Sequence, residues 1–383
     1  MRRIDVGGDS KETFWKVDLR ANGPGSGPFL KPGGCYGTAL GSARHREGCR
    51  VSGTPELTFQ QTIPRYLVHR AAVAEVFLTD SVVLGEDHFL VAAQWPRDHA
   101  LYHPDGEGRT DPLLFAETIR QTLVYLSHQH YRVPLGHRFV GRDMALAIAD
   151  PDAVRVGSEP LPVTLETRWI RVGNDSPRRQ GMRIEVVLMV GGAVCGQGHL
   201  SGVAVDETYY RRLRGQPGRG RAPAHGPAAG PGRVPGGMVG RLRDKDSVLQ
   251  RDDRSGEWRL RADLDHAILF DPPADHLPLM VMFEGFRQLG HLLVHGADTP
   301  DPPRGAHALV SLASECLAWA ELDVPTRLVV RADSGTEDRT GSRRLNIDAV
   351  QQDSVVMTSE MLWAPVGRGT GGTKPGVPGP RDV

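Results

Sequence analysis

The sequence predicts an α+β protein made of two copies of one unit, each a curved antiparallel sheet wrapping a long central helix. Three observations carry that expectation. Two stretches 167 residues apart repeat without a gap: Asp98-His99-Ala100 returns as Asp265-His266-Ala267, Glu117-x-x-Arg120-Gln121 as Glu284-x-x-Arg287-Gln288, and Leu126 and His128 as Leu293 and His295. Eight of the thirty-one aligned positions are identical, where ordinary residue frequencies give about two. Each copy also holds one long, very apolar helical segment, the mark of a helix enclosed by a core. Strand-like runs follow each helix in the same order. A period this long belongs to a duplicated domain rather than to a short-repeat solenoid.

The elements follow in chain order. Residues 1–56 are rich in Gly, Pro, Arg and Ser, lack periodicity, and read as a low-complexity tail. The first folded segment, 57–210, opens with β-branched, apolar runs at Val73–Leu84 and Phe89–Trp95, which read as strands. Asp111-Pro112 is a helix start, an N-cap followed by proline at the first helical position. The helix LLFAETIRQTLVYLSHQH follows, then strand-like runs at 161–172, 182–190 and 193–205. Residues 211–240 form a Pro/Gly/Arg linker unable to build a core. The second segment, 241–365, repeats the plan: strand-like WRLRA, a Pro-rich loop, the helix LMVMFEGFRQLGHLLVH, and strands near 307–312, 324–332, 343–350 and 354–364. Residues 366–383 are a second tail.

Composition narrows the function. At 383 residues the chain has room for two cores. Acidic and basic residues balance at 46 each, which argues against bulk electrostatic binding of nucleic acid. Cys35, Cys49, Cys195 and Cys316 make no metal-ligand spacing, and no metal or other cofactor is expected. Sparse cysteine, no apolar signal region and no apolar run of membrane-spanning length point to a cytoplasmic protein off the membrane.

The candidate chemistry lies on the helices. Glu284, Arg287, Gln288, His291 and His295 fall at i, i+3, i+4, i+7 and i+11, on one narrow face. Glu117, Arg120, Gln121 and His128 repeat it, with Val124 where His291 stands. Such a stripe is ordinarily the wet side of an amphipathic helix. Its narrowness, its lack of lysine and its recurrence favour a carboxylate and a guanidinium facing a cleft instead. Burial would raise the glutamate pKa and the nearby arginine would lower it; either way the pair offers an acid or base and an anion clamp. His99 and His266, eighteen residues upstream of each glutamate, are further candidates. No phosphate-binding glycine loop, nucleophile elbow or HExxH motif accompanies them.

A strand, a Pro-rich loop and a long helix entered by a proline and then a glutamate resemble the hotdog fold of acyl-thioester enzymes. Hotdog dehydratases carry a histidine fourteen residues before the helical glutamate. Here that position is Phe270 in the second copy and His103 in the first, which counts against a dehydratase but lets His103 pair with Glu284 across the halves. LVHRAAVAEVFLTD (67–80), DHALYH (98–103), DPLLFAETIRQ (111–121), VPLGHRFV (133–140) and DHAILFDPPADHLPLMVMFEGFRQ (265–288) are similar to the A-factor biosynthesis family, gamma-butyrolactone synthases built as two tandem hotdog folds. The resemblance implies transfer of a beta-ketoacyl group from an acyl-carrier-protein thioester to the hydroxyl of dihydroxyacetone phosphate. It maps the family's essential residues onto Glu117, Glu284 and Arg287, with Arg120 as repeat equivalent, as catalytic groups. Gln121, Gln288, His99, His266 and His103 are then expected to bind substrate. A hotdog thioesterase or dehydratase, and an acyl-binding regulator without activity, are the competing readings.

Overall fold

The two copies join edge to edge into one sheet. In the computed structural model, which describes residues 57–173, 176–215, 232–296, 307–335 and 341–367, that sheet has twelve strands. The strands are β1 (Leu78–Gly85), β2 (His88–Trp95), β3 (Arg138–Ile148), β4 (Leu161–Arg171), β5 (Arg179–Val190), β6 (Ala193–Val205), β7 (Leu249–Arg251), β8 (Trp258–Leu260), β9 (His307–Cys316), β10 (Thr326–Asp333), β11 (Arg343–Gln351) and β12 (Ser354–Pro365). Their order is β1-β2-β4-β5-β6-β3-β9-β12-β11-β10-β8-β7, every neighbour antiparallel. Read outward from the β3–β9 seam, both halves list their strands in the same order, the sign of an internal two-fold. At the seam Asp143 faces Glu315, Ala145 faces Ala313 and Ala147 faces Ser311. The expected tails at 1–56 and from 368 onward, and residues 216–231 of the expected linker, lie outside the described residues.

Helices α1 (Pro112–Gln129) and α3 (Leu279–His295) are the expected central helices. They touch each other and rest on the strands of their own halves. Phe115, Ile119 and Leu126 of α1, and Phe283, Phe286 and Leu289 of α3, are fully enclosed. Each such side chain contributes about 1.5–3 kcal/mol through burial.

Several elements depart from the sequence reading. Val73–Glu75 is a single 3-10 turn, and β1 begins only at Leu78. Gln121 of α1 supplies the reason: its side chain accepts from Phe77 N and donates to Glu75 O, taking the backbone bonds that a strand neighbour would take. The seam strand β3 was not among the expected runs, because Gly141-Arg142-Asp143 interrupts its alternation at an irregular register. Helix α2 (Glu207–Arg214) crosses the expected domain end at 210; Asp206 caps it by accepting from Tyr209 N. Residues 232–240 also hold structure, with a 3-10 turn at Gly236–Val239 packed on α3.

Candidate active site

Each helical glutamate is clamped by an arginine that neither copy of the sequence repeat contains. Arg70 follows a 3-10 turn (Arg65–Val68) and packs against α1. Its Nε donates to Glu117 Oε1 at 3.0 Å and its Nη2 lies 2.6 Å from Oε2. Arg120 grips the same carboxylate through Nε (2.9 Å) and Nη2 (2.8 Å). Burial alone would raise the Glu117 pKa, but the Arg120 and Arg70 guanidiniums bring it down to about 2. The carboxylate is 0 % exposed. Both of its oxygens are thus engaged by guanidiniums, and it is held as an anion at neutral pH.

The second cluster repeats the scheme with a change. Arg241 Nε and Nη2 donate to the two oxygens of Glu284, which is equally enclosed. Arg241 Nη1 donates to Asp111 Oδ2 at 2.6 Å, and Arg287 Nε lies 3.1 Å from that same oxygen. Arg287 is thus drawn away from Glu284, and it also donates to the carbonyls of Val239 and Gly240. Burial opposes the charge on Asp111, but Arg241 and Arg287 lower its pKa to about 2. The position equivalent to Asp111 in the first cluster is Pro278. The first cluster therefore joins two guanidiniums to one carboxylate, and the second joins two to two.

Both clamps cross between the halves. Arg70 Nη1 reaches the carbonyls of Ile268 and Asp271, and Arg241 Nη1 reaches that of Leu101. The upstream histidines set those acceptors. His99 Nδ1 accepts from Leu101 N and Tyr102 N; His266 Nδ1 accepts from Ile268 N and Leu269 N. His99 Nε2 then faces Glu75 at 3.3 Å, and His266 Nε2 faces Asp246 at 3.0 Å. Neither histidine lines the two cavities that the clamp arginines face. Gln121 and Gln288 are enclosed as well, each bonded to its own glutamate and to the backbone of the preceding turn. Most polar atoms of these four side chains bond to the protein, His99 Nε2 being the exception, and they hold the turns and loops that carry the clamp arginines and their acceptors.

The clusters face two separate cavities rather than one. The first, about 280 Å³, is walled by Arg70, Arg120 and His69 together with an apolar surface that includes Leu123, Leu200, Met282 and Val356. The N-terminus of α3 opens into it through Leu279 and Met280. Pro278 gives that helix no side-chain cap, and among the described residues the amides of Leu279 and Met280 find no acceptor. Cys316 is also in this wall, but burial pushes its thiol up to about 12, so it is no nucleophile. The second cavity, about 420 Å³, holds Arg241, Arg287, His103 and His291. At the start of α1 Asp111 Oδ1 takes the Leu113 amide and Pro112 has none to give. His103 shares this cavity, yet it does not pair with Glu284, whose partners are Arg241 and Gln288. No cluster of metal-ligating side chains occurs among the described residues, and no described helix is long and apolar enough to cross a membrane.

The repeat concealed Arg70 and Arg241 because their spacing to the helix differs between copies. Pro64…Val68-x-Arg70 against Pro235…Val239-x-Arg241, 171 residues apart, was the available signal.

Comparison with known proteins places this architecture. The chain is 37% identical over 297 residues to a 2-oxo-3-(phosphooxy)propyl 3-oxoalkanoate synthase of Streptomyces virginiae, covering 78% of this chain and 96% of that protein. Proteins of the same name from Streptomyces griseus and Streptomyces coelicolor are 35% and 31% identical, over 59% and 60% of this chain and 74% and 72% of theirs. The family model for the A-factor biosynthesis hotdog domain matches twice, at residues 52–206 and 225–367. With two matched segments, two enclosed helices and one shared sheet, the chain belongs to the A-factor biosynthesis hotdog family as a tandem double hotdog.

Proposed function

We propose that this protein is an acyltransferase that moves a beta-ketoacyl group from a thioester, carried by acyl carrier protein, onto the hydroxyl of dihydroxyacetone phosphate. The product is a 2-oxo-3-(phosphooxy)propyl 3-oxoalkanoate, the ester precursor of a gamma-butyrolactone signal for secondary metabolism. The relatives bear the name of that reaction. One observation carries the assignment of a site: the uncapped start of α3 and the guanidinium of Arg120 open on the same, largely apolar cavity.

Each part of the reaction has a group suited to it. The apolar wall accepts the acyl chain. Arg120 uses Nε and Nη2 on Glu117 and Val68, leaving Nη1 for a phosphate oxygen. Attack of the hydroxyl on the thioester carbonyl builds an oxyanion, and the free amides of Leu279 and Met280 are donors of the kind that stabilise one. Glu117 holds both guanidiniums in place. Collapse expels the thiolate, which leaves as the thiol. The second cluster, with its charges matched and its helix start capped, holds the loop between Leu101 and Asp111 against Arg241.

The test is incubation with a beta-ketoacyl thioester, with and without dihydroxyacetone phosphate, followed by mass spectrometry. Thioester consumption that requires dihydroxyacetone phosphate and yields the phosphorylated ester is expected. Hydrolysis to free acid at the same rate in both samples would sink the proposal in favour of a thioesterase.

A further inference from the structure

The proposed transfer needs a group to take the hydroxyl proton, and Glu117 is unfit for it. We infer that His69, backed by His128, is the proton acceptor of the first cavity; this rests on the reaction proposed above. His69 lines that cavity and sits in the left-handed region at φ 52°. Its Nε2 lies 2.9 Å from His128 Nε2, and His128 Nδ1 lies 2.7 Å from Val133 O. These contacts fix the tautomers of the neutral pair. A carbonyl only accepts, so His128 Nδ1 carries a proton and its Nε2 is bare. His69 Nε2 must then carry the proton between the rings, which leaves His69 Nδ1 as the free lone pair. Phe139 packs edge-on against both rings and holds the pair in place.

The proton balance closes. The substrate hydroxyl gives its proton to His69 Nδ1 as the C–O bond forms. The Nε2 proton can pass to His128 Nε2, so that the charge rests on His128, whose Nδ1–H is held by the Val133 carbonyl. When the C–S bond breaks, the proton returns through His69 Nδ1 to the thiolate. The charged and titratable groups facing the pair are Arg120 from α1, Arg138 from β3, and His137 beside His128. Burial comes first among the causes that lower the His69 pKa, followed by His128, Arg120 and Arg138, to about 4. The ring is thus neutral at neutral pH, with its Nδ1 lone pair unprotonated. A phosphate dianion on Arg120 offsets part of that depression, so substrate binding itself strengthens the base.

The second half supports the reading by its contrast. Gly240 stands where His69 does, and His291 stands where Val124 does. A Cβ on Gly240 would lie 2.8 Å from His291 Cε1, so the helix imidazole fills the space that the loop imidazole fills in the first half. It packs on His295 with ring centroids 4.3 Å apart, against 4.9 Å for His69 and His128. Yet His291 Nε2 is buried without a partner, and His295 Nδ1 lies 3.0 Å from the His291 carbonyl. An imidazole is rebuilt there on the helix, with its Nε2 unpaired where that of His69 meets His128.

The experiment compares three proteins: wild type, His69→Asn and His69→Gly. Asparagine tolerates the left-handed backbone and can donate to His128, but cannot take the proton. Glycine copies the second half. Wild type must first form ester from dihydroxyacetone phosphate; if it does not, the reaction is wrong and the histidine is untouched by the result. Given ester formation, His69→Asn is expected to lower kcat by about 10²–10⁴-fold with KM for dihydroxyacetone phosphate within about twofold. The wild-type loss of kcat toward acid pH should vanish in this variant. Added imidazole should restore turnover to His69→Gly in proportion to its neutral form. Near-wild-type kcat in His69→Asn, or a His69→Gly defect that imidazole leaves unchanged, overturns the proposal.

Discussion

At the residue scale the protein turns on buried ion pairs whose value lies in what happens when they are broken. Removing one partner of an enclosed pair leaves an uncompensated charge, a loss of about 3–5 kcal/mol. Arg241 is 2 % exposed and holds both Glu284 and Asp111. Arg241→Lys should therefore destabilise the protein by several kcal/mol in urea unfolding, because an ammonium cannot grip one carboxylate side-on and reach Asp111 and Leu101 as well. The acid limit follows from the carboxylates. Glu117 and Asp111 have folded pKa values depressed to about 2, from ordinary values of 4.5 and 3.8. A depressed acid stabilises fully above its unfolded pKa and loses that contribution as pH falls toward the folded value. Each is worth on the order of 2–3 kcal/mol. Stability should hold from neutral pH down to about 5 and fall steeply from about 4.5 toward 2. The gap between wild type and Glu117→Gln should narrow over the same range; a constant gap would contradict the pairing.

At the scale of elements, the two central helices are the same in outline and opposite at their starts. Asp111 caps α1, whereas Pro278 leaves the first amides of α3 open to a cavity. The backbone angles at the two positions are close, with φ −60° and ψ 127° against φ −62° and ψ 152°. Pro278→Asp should thus fold and cap α3, with stability unchanged or raised by up to about 1 kcal/mol. The same variant should lose about 10²–10³-fold in kcat, since the new carboxylate takes the amides and repels an oxyanion. Full turnover in a folded Pro278→Asp protein would remove the helix start from the mechanism. Helix α2 matters in the same cavity: Tyr210, which lines it, donates to Asp275 at 2.7 Å, and Arg214 pairs with Glu321. These contacts tie the end of the first half to two loops of the second.

At the scale of the molecule, the halves share a sheet seam, and each clamp arginine also bonds to the other half. Arg241 needs Leu101 and Asp111 from the first half, and Arg70 needs Ile268 and Asp271 from the second. Unfolding should be a single cooperative transition, and residues 225–367 expressed alone should lack a cooperative transition in urea; a stable isolated half would refute this coupling. Much of this was legible in the chain. The 167-residue repeat, the capping pair Asp111-Pro112 and the apolar helices fixed two copies of a helix wrapped by strands, since periodicity and caps act locally. The glutamates and arginines of the repeat were found for the same reason. The sequence could not say whom they would face. Gln121 and Gln288 looked like a substrate-binding stripe but bond backbone forty or more residues away. Arg70, Arg241 and His69 lay outside the aligned repeat, and the division into two unlike cavities depended on where Asp111 and Pro278 fall against the opposite half. Composition and local pattern thus determined the units, whereas only the packing of one half on the other decided which charges are paired, which helix start is open and which imidazole keeps a free nitrogen. Those are properties of distances between remote segments, and burial sets the energy of each.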